Sequence, residues 1–525
     1  TWHCIEDSGM PLKRLQKKKT SVYVGVMAID YHQEIAAANA ETDSYTAAGN
    51  YESMLANRIS FVFGLKGQSM SIDAACASSL VALHEAGLSL THSKSDYAIA
   101  AGVSLNFHPF KYISFSKSGM LSPDGKCKTF DKDANGYVPG DGVGVLLLQR
   151  LEYAVKQNAT IYGIIKGSAV NHTGNSLSLT SPSVEAQKEV LISAFDNAKI
   201  NPETISYIEA HGTGTSLGDP IELEALSNAF QQYTNKKTFC KIGSVKTNIG
   251  HLEAAAGMGG MIKVLMMIKH KQIPESLNLN TPNPVINFED SPFSVATELS
   301  KWKNKNEKIP LRAGISSLGF GGVNSHIVLE QPHVQYDQKT DISEPFLFLL
   351  SAKSEKSLQS LVNQWQAFIK TSKYHSYNLS DISKTLATGR VSFPYRYGFP
   401  LNTKNEVEQF LKQTTRNFHT SGAKQICLIA GDFSLTGFTD IEYFFRQYPV
   451  LWKHLDKLIK LLSPKIRQIF TEKIWNSEKQ ELCSFITGCA YYNTLKDMGI
   501  APDMLTGKGI GIWVSLVVSG MLTFK

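Results

Sequence analysis

Ser71-Ile-Asp73-Ala-Ala-Cys76-Ala-Ser-Ser-Leu80 is the stretch that decides the fold. Ser71-Ile72 reads as the end of a strand. From Cys76 onward small and apolar residues recur at helical spacing through Ser79, Leu80, Leu83, Ala86 and Leu90. The spacing predicts a strand, a tight turn and a helix over 76–90, with Cys76 at the helix start. A thiol there meets unpaired N–H groups and the positive end of the helix dipole, which favours the thiolate. Ala74, Ala75 and Ala77 leave the sulfur open to a substrate. Alone, any cysteine is more often a buried core residue than a nucleophile.

Two further turns carry histidine. Glu209-Ala-His211-Gly-Thr213-Gly-Thr215 follows an apolar strand candidate, and Lys246-Thr-Asn248-Ile-Gly250-His251-Leu-Glu-Ala-Ala-Ala256-Gly257 leads into a helix candidate. Sites of α/β proteins collect at such strand ends. A third run, Gly314-Ile-Ser-Ser-Leu-Gly319-Phe320-Gly321-Gly322-Val-Asn324, is dense enough in glycine to bring backbone N–H groups close to a ligand. Each histidine alone reads as a structural hydrogen-bonder; with Cys76 they read as a site. A thiolate accepts an acyl group as a thioester. Two neutral imidazoles can hydrogen-bond a thioester carbonyl as negative charge develops on it. A hydrolase would instead require a base, a water and a carboxylate to orient the base.

Outward from these motifs, β-branched runs alternate with amphipathic helices between residues 20 and 331. Strands are predicted at 21–26, 97–101, 142–149, 205–210 and 325–330, and helices at 183–198, 219–231 and 253–270. This alternation is that of a layered α/β domain. A polar stretch at 332–345 breaks it. Amphipathic helices follow at 353–369 and 379–387, and a new α/β unit starts near residue 424 with a strand at 426–430.

The 525 residues predict two to four domains. A hydrophobic share of 42% and a charged share of 19% are those of a globular protein. The net charge of +7 is scattered, without basic tracts interleaved with aromatics, which argues against nucleic acid. Seven cysteines at irregular spacing, with no Cys-x-x-Cys pair, argue against disulfides or a metal site and for a reducing, cytoplasmic setting. No signal peptide or membrane span is legible; the apolar stretch 510–524 is short and glycine-interrupted. The chain lacks an initiator Met and opens inside a helix candidate (Trp2, Ile5, Met10), so it reads as an excerpt of a longer protein.

Taken together, the motifs resemble those of the ketosynthases, the thiolase-fold condensing enzymes of polyketide and fatty acid synthesis. Asp73-Ala-Ala-Cys76-Ala-Ser-Ser-Leu80 is similar to that family's nucleophile box, and His211-Gly-Thr-Gly-Thr215 and Lys246-Thr-Asn-Ile-Gly-His251 to its two histidine boxes. The resemblance covers residues 1–331 and leans toward modular polyketide synthases. It implies a layered αβαβα thiolase-like fold whose first strands precede Trp2. It implies that Cys76 is acylated, that His211 and His251 assist decarboxylation, and that Lys246 keeps the site electrostatically ordered. Phe320 would gate the site, its N–H joining that of Cys76 in an oxyanion hole. Thr213, Thr215, Asn248, Gly321 and Gly322 would line the phosphopantetheine path. No cofactor or metal of the chain's own is implied, since the phosphopantetheine arm belongs to a partner acyl carrier protein. Neighbouring synthase domains and homodimerisation are implied as well. A transacylase gate that does not elongate, and a catalytically silent scaffold, remain as alternatives.

Residues 332–423 resemble the linker that follows a ketosynthase, and 424–525 the start of an acyltransferase. At 430–434, Ala-Gly-Asp-Phe-Ser lacks that domain's expected Gln pattern. Where its nucleophile elbow is expected the sequence reads Gly507-Lys508-Gly509-Ile510-Gly511-Ile512, with Gly509 at the nucleophile position and Lys508 at the His position. Glycine offers no nucleophile. The segment reads as a degenerate, partial unit that flanks the ketosynthase or docks a separate acyltransferase.

Overall fold

The computed structural model describes residues 1–304, 306, 308–333, 346–401, 403–413, 419–420, 427–430, 448–464, 467, 477–500, 502 and 504–523. They form two compact units: Thr1–Leu350 with Val362–Ser392 and Gly398–Thr414, and Ser351–Leu361 with Phe393–Tyr397 and Thr415–Lys525.

The first unit is built on two sheets. One contains β1 (Thr20–Gly25), β2 (Ser69–Ile72), β3 (Tyr97–Ser104) and β4 (Gly142–Gln149), in the order β2-β1-β3-β4. Strand β1 is parallel to β2 and β3, and β4 closes the edge antiparallel to β3. The other sheet contains β5 (Ile164–His172), β6 (Tyr207–Glu209), β7 (Cys240–Gly243), β8 (Phe293–Val295), β9 (Arg312–Leu318) and β10 (Val323–Glu330). Its order is β5-β10-β9-β6-β7-β8; β6, β7, β8 and β9 run parallel, and β10 is antiparallel to both neighbours.

Between the sheets lie two helices, α1 (Ser78–Thr91) and, later in the chain, α5 (Ala256–His270). A helix apolar on nearly every side must be buried on nearly every side, and these two supply Leu80, Leu83, Leu90, Met258, Met261 and Val264 to one core. Tyr23, Ala98 and Ala100 reach that core from the first sheet, and Ala313, Ile315 and Ile327 from the second. Small residues set the spacing. A Cβ on Gly25 would stand 2.6 Å from the Ser79 nitrogen, so β1 can approach α1 only as glycine. The hydroxyl of Ser79 accepts the Met258 N–H at 3.0 Å and ties α1 to α5.

Helix α2 (Phe110–Lys117) follows β3. Helices α3 (Val184–Ala198) and α4 (Gly218–Gln231) cover the outer face of the second sheet, through Val190, Leu191, Phe195, Leu226 and Phe230. The helical stretch Ser53–Phe63 and the N-terminal turns cover the first sheet, through Ile5, Leu15, Ala56 and Phe63. Helix, sheet, helix pair, sheet and helix make the five layers of a thiolase-like fold.

Two predicted helices begin later than the spacing suggests. Ala75–Ala77 and Glu253–Ala255 are single 3₁₀ turns, and the α-helices start at Ser78 and Ala256. In both places a non-glycine residue adopts positive φ (Ala75 at 51°, Glu253 at 44°), which breaks the α geometry. The strand predicted at 205–210 shortens to Tyr207–Glu209, because Pro202–Thr204 forms a 3₁₀ turn.

In the second unit, β11 (Cys427–Ala430) pairs in parallel with β12 (Met504–Gly507). Helices α6 (Pro449–Leu461), α7 (Ser477–Asp497) and α8 (Gly511–Val518) share a small core of Leu451, Leu455, Ile486, Cys489 and Val514. The stretch 431–434, where the Gln pattern was expected, lies outside the described residues. Among the described residues no helix is long and apolar enough to cross a membrane.

Candidate active site

Cys76 is buried on a strained elbow between β2 and α1. Ala75, before it, sits at φ 51°, a left-handed conformation that costs about 1–2 kcal/mol outside glycine. Local hydrogen bonds offset the strain. Asp73 Oδ1 accepts the Ala75 N–H at 2.9 Å, and the Ser78 hydroxyl accepts the Ala74 N–H at 2.8 Å while donating to the Ala75 carbonyl at 2.6 Å. From β9, the Ser317 hydroxyl donates to the Cys76 carbonyl at 2.7 Å.

The sulfur corrects one expectation. Burial pushes the Cys76 thiol up to about 11, and the Glu253 carboxylate adds to the rise. Backbone N–H groups of Phe320 and of Cys76 itself, together with Lys246, pull the other way without cancelling it. Cys76 therefore rests as a thiol. The short 3₁₀ turn that carries it is a weaker source of positive potential than the full helix the spacing predicted.

His211 and His251 come together with ring centroids 5.4 Å apart and planes at 83°. Both are buried, and both lie well below the ordinary histidine range through burial, with Lys246 contributing, so both are neutral. Their tautomers follow from the backbone. His211 Nδ1 accepts the Leu318 N–H at 3.3 Å, and His251 Nδ1 accepts the Glu253 N–H at 2.8 Å. An accepting Nδ1 in a neutral ring leaves the proton on Nε2. Each ring thus offers one Nε2–H. Residues 317 and 318 of β9 hold Cys76 and His211 respectively, so one strand end sets both. Tyr137 packs on His251 at 4.8 Å between ring centroids.

Buried carboxylates pin the histidine turns. Glu222, on α4, accepts the N–H of His211 at 2.6 Å and of Gly212 at 2.8 Å, and Asp219 accepts those of Phe130 at 2.8 Å and Gly214 at 3.1 Å. Burial raises both carboxyls, Asp219 to about 7. Glu209 accepts the Val245 N–H at 2.5 Å and pairs with Lys263 at 2.7 Å. Burial lowers the Lys246 ammonium, and Glu209 and Glu222 oppose that fall.

At the mouth, Phe320 is 46% exposed and its ring lies 6.5 Å from that of Phe115 on α2. Gly321 (φ 119°) and Gly322 (φ 95°) take conformations reserved for glycine. His172 Nδ1 accepts the Gly174 N–H at 2.9 Å, so its Nε2–H donates to the Gly321 carbonyl, also at 2.9 Å. Thr213 and Thr215 are half-buried with hydroxyls 3.2 Å apart, whereas Asn248 is exposed and its Oδ1 accepts the Thr247 hydroxyl at 3.2 Å. Lys508 and Gly509 belong to the second unit, both exposed on the turn between β12 and α8, with Gly509 at φ 60°. The nucleophile position on that turn, Gly509, carries no side chain.

Sequence reading missed several residues around the site: Ser317, Tyr137, His172, and the buried pair of Lys111 and Glu253, 2.6 Å apart. Glu253 stood inside a quoted motif, but nothing in the sequence gives it a partner 142 positions away. Among the described residues no group of three or more His, Cys, Asp or Glu side chains could hold a metal.

Comparison with known proteins gives the family. Residues 1–154 match the family described as Beta-ketoacyl synthase, N-terminal domain, 162–280 its C-terminal domain, and 282–399 the Ketoacyl-synthetase C-terminal extension. The chain belongs to the β-ketoacyl synthase family, the condensing and acyl-transferring enzymes, in its polyketide synthase branch. It is 41% identical over 425 residues to the polyketide synthase PksN of Bacillus subtilis, covering 78% of this chain and 8% of that protein. Against PksL of the same organism it is 44% identical over 400 residues, covering 76% and 9%. It thus spans under a tenth of these two relatives. Among solved structures, the ketosynthase from module 6 of the Bacillus subtilis bacillaene synthase superposes with a TM-score of 0.71 at 37% identity, covering 91% of this chain and 80% of that one. The oxazolomycin ketosynthase domain of Streptomyces albus gives 0.73 at 33% identity, covering 78% and 71%.

Proposed function

We propose that this chain elongates an acyl group by decarboxylative condensation on Cys76. In the first half-reaction the Cys76 sulfur bonds to the carbonyl carbon of an acyl thioester. The carrier thiol leaves and takes the proton that the cysteine loses. The N–H groups of Cys76 and Phe320, already directed at the sulfur, would bind the tetrahedral oxyanion. In the second half-reaction a malonyl thioester on an acyl carrier protein loses CO2. The electron pair of the broken C–C bond becomes an enolate, whose carbon attacks the Cys76 thioester. The sulfur departs and takes up one proton, returning the thiol.

The observation that carries this reading is the pair of neutral rings, with centroids 5.4 Å apart, each holding its proton on Nε2 because a backbone N–H occupies its Nδ1. Two fixed donors suit a thioester carbonyl that becomes an enolate oxygen; neither ring has a free nitrogen to act as base toward water. Thr213 and Thr215, at the mouth, would meet the phosphopantetheine arm, and Phe320 would move as the arm enters. Domains 1–331, 332–423 and 424–525, a homodimer, a carrier partner and extender loading by a separate acyltransferase complete the proposal. Gly509 at the elbow supports the last of these, because that turn has no residue to carry a malonyl ester.

The test separates the half-reactions. His211→Ala and His251→Ala should keep acylation of Cys76 within a few-fold of the parent chain. CO2 release from malonyl carrier protein should fall by about 10²–10³ in each, the usual effect of losing one oxyanion donor. A fall in acylation matching that in CO2 release would overturn the assignment.

A further inference from the structure

A buried charge pair lies directly behind His251. Lys111, on α2, places its ammonium 2.6 Å from Glu253 Oε2, with the two side chains 9% and 2% exposed. Ser104 Oγ makes a long contact with the same oxygen at 3.4 Å, and Oε1 has no hydrogen-bond partner among the described residues. Lys111 is therefore the chief compensation for this carboxylate.

The pair stands on a strained backbone. Glu253 holds φ 44°, and its N–H is the donor that His251 Nδ1 accepts at 2.8 Å. A free side chain at that position would favour relaxation toward ordinary φ, since left-handed backbone persists only where its surroundings fix it. Here the carboxylate is fixed by a cation from a different element. Breaking one partner of a buried pair leaves an uncompensated charge that drives local rearrangement.

We propose that the Lys111–Glu253 ion pair is a positioning device for His251, holding the Glu253 N–H on Nδ1 so that the ring presents Nε2–H to the reacting carbonyl. This rests on the role of His251 in decarboxylation given above. The pair reaches the ring through the Glu253 N–H and through the charge of Lys111, while the Glu253 carboxylate also raises the Cys76 thiol. Its loss should therefore slow the step that uses His251 without slowing the acylation of Cys76. Both residues are positioning residues. Neither needs to touch substrate.

The test uses the full chain with Lys111→Met, Glu253→Gln, and both together; the double variant removes both charges and keeps the test readable if a single variant fails to fold. Acylation of Cys76 by an acyl-N-acetylcysteamine thioester is followed by intact mass, and decarboxylation by CO2 release from malonyl carrier protein. In parallel, selective ¹⁵N-histidine labelling reports the tautomer of His251, its signals assigned by their loss in His251→Ala. The parent chain should show a single Nε2–H tautomer. The variants should show a tautomer mixture, with CO2 release falling about tenfold or more beyond any fall in acylation. Lys111→Arg should restore most of both. An unchanged tautomer, or equal falls in the two half-reactions, would overturn the proposal. A parent chain that neither acylates nor decarboxylates would sink the functional reading instead.

Discussion

At the level of single residues, Cys76 is held by opposing forces. Burial and Glu253 favour the thiol; the N–H groups of Phe320 and Cys76 and the Lys246 ammonium favour the thiolate, and burial wins. The sign fixes a pH dependence. A cysteine raised to about 11 is protonated throughout the neutral range, so its thiolate fraction grows about tenfold per pH unit up to that value. Alkylation of Cys76 by iodoacetamide, read by peptide mass between pH 7 and 10, should rise without a plateau. Saturation below pH 8 would mean that the elbow stabilises the thiolate after all. Cys76, His211 and His251 were legible because each sits in a short motif whose spacing implies its turn. Lys111, Tyr137 and His172 were not, because their meaning is a contact across the fold: Lys111 with Glu253, Tyr137 with His251, His172 with Gly321.

Among the elements, the layering was readable from alternating strand and helix patterns, and the start of α1 was not. Helical periodicity continues backward through Ala77 and Cys76, but Ala75 at φ 51° makes that stretch a 3₁₀ turn. Strain of this kind leaves no mark on an alanine in the sequence. The close contact of β1 with α1 depends on a missing side chain instead. Gly25→Ala would place a Cβ 2.6 Å from the Ser79 nitrogen, a backbone atom that cannot swing aside. Overpacking of this order costs about 1–3 kcal/mol and more where backbone must move. Denaturant unfolding of Gly25→Ala should therefore show a lower midpoint, and Cys76 alkylation should change as α1 shifts. An unchanged midpoint would mean that the layers are looser than the geometry implies.

For the molecule as a whole, the second unit keeps a parallel strand pair and a strand–turn–helix elbow but carries Gly509 on the turn. The sequence showed both the missing nucleophile and a strand-turn-helix frame around it, led in by 502–506 and out by 513–522; it could not show which strand pairs with Met504–Gly507. In the proposed function, covalent catalysis by this chain thus rests on Cys76, which is given an extender unit already loaded on its carrier. The most direct measurement is intact-protein mass spectrometry of the full chain given an acyl thioester and then malonyl carrier protein. The account predicts one acyl adduct, absent in Cys76→Ala, that disappears as a two-carbon-longer β-ketoacyl group appears on the carrier. An adduct that persists without elongated product, or one that survives Cys76→Ala, would contradict it.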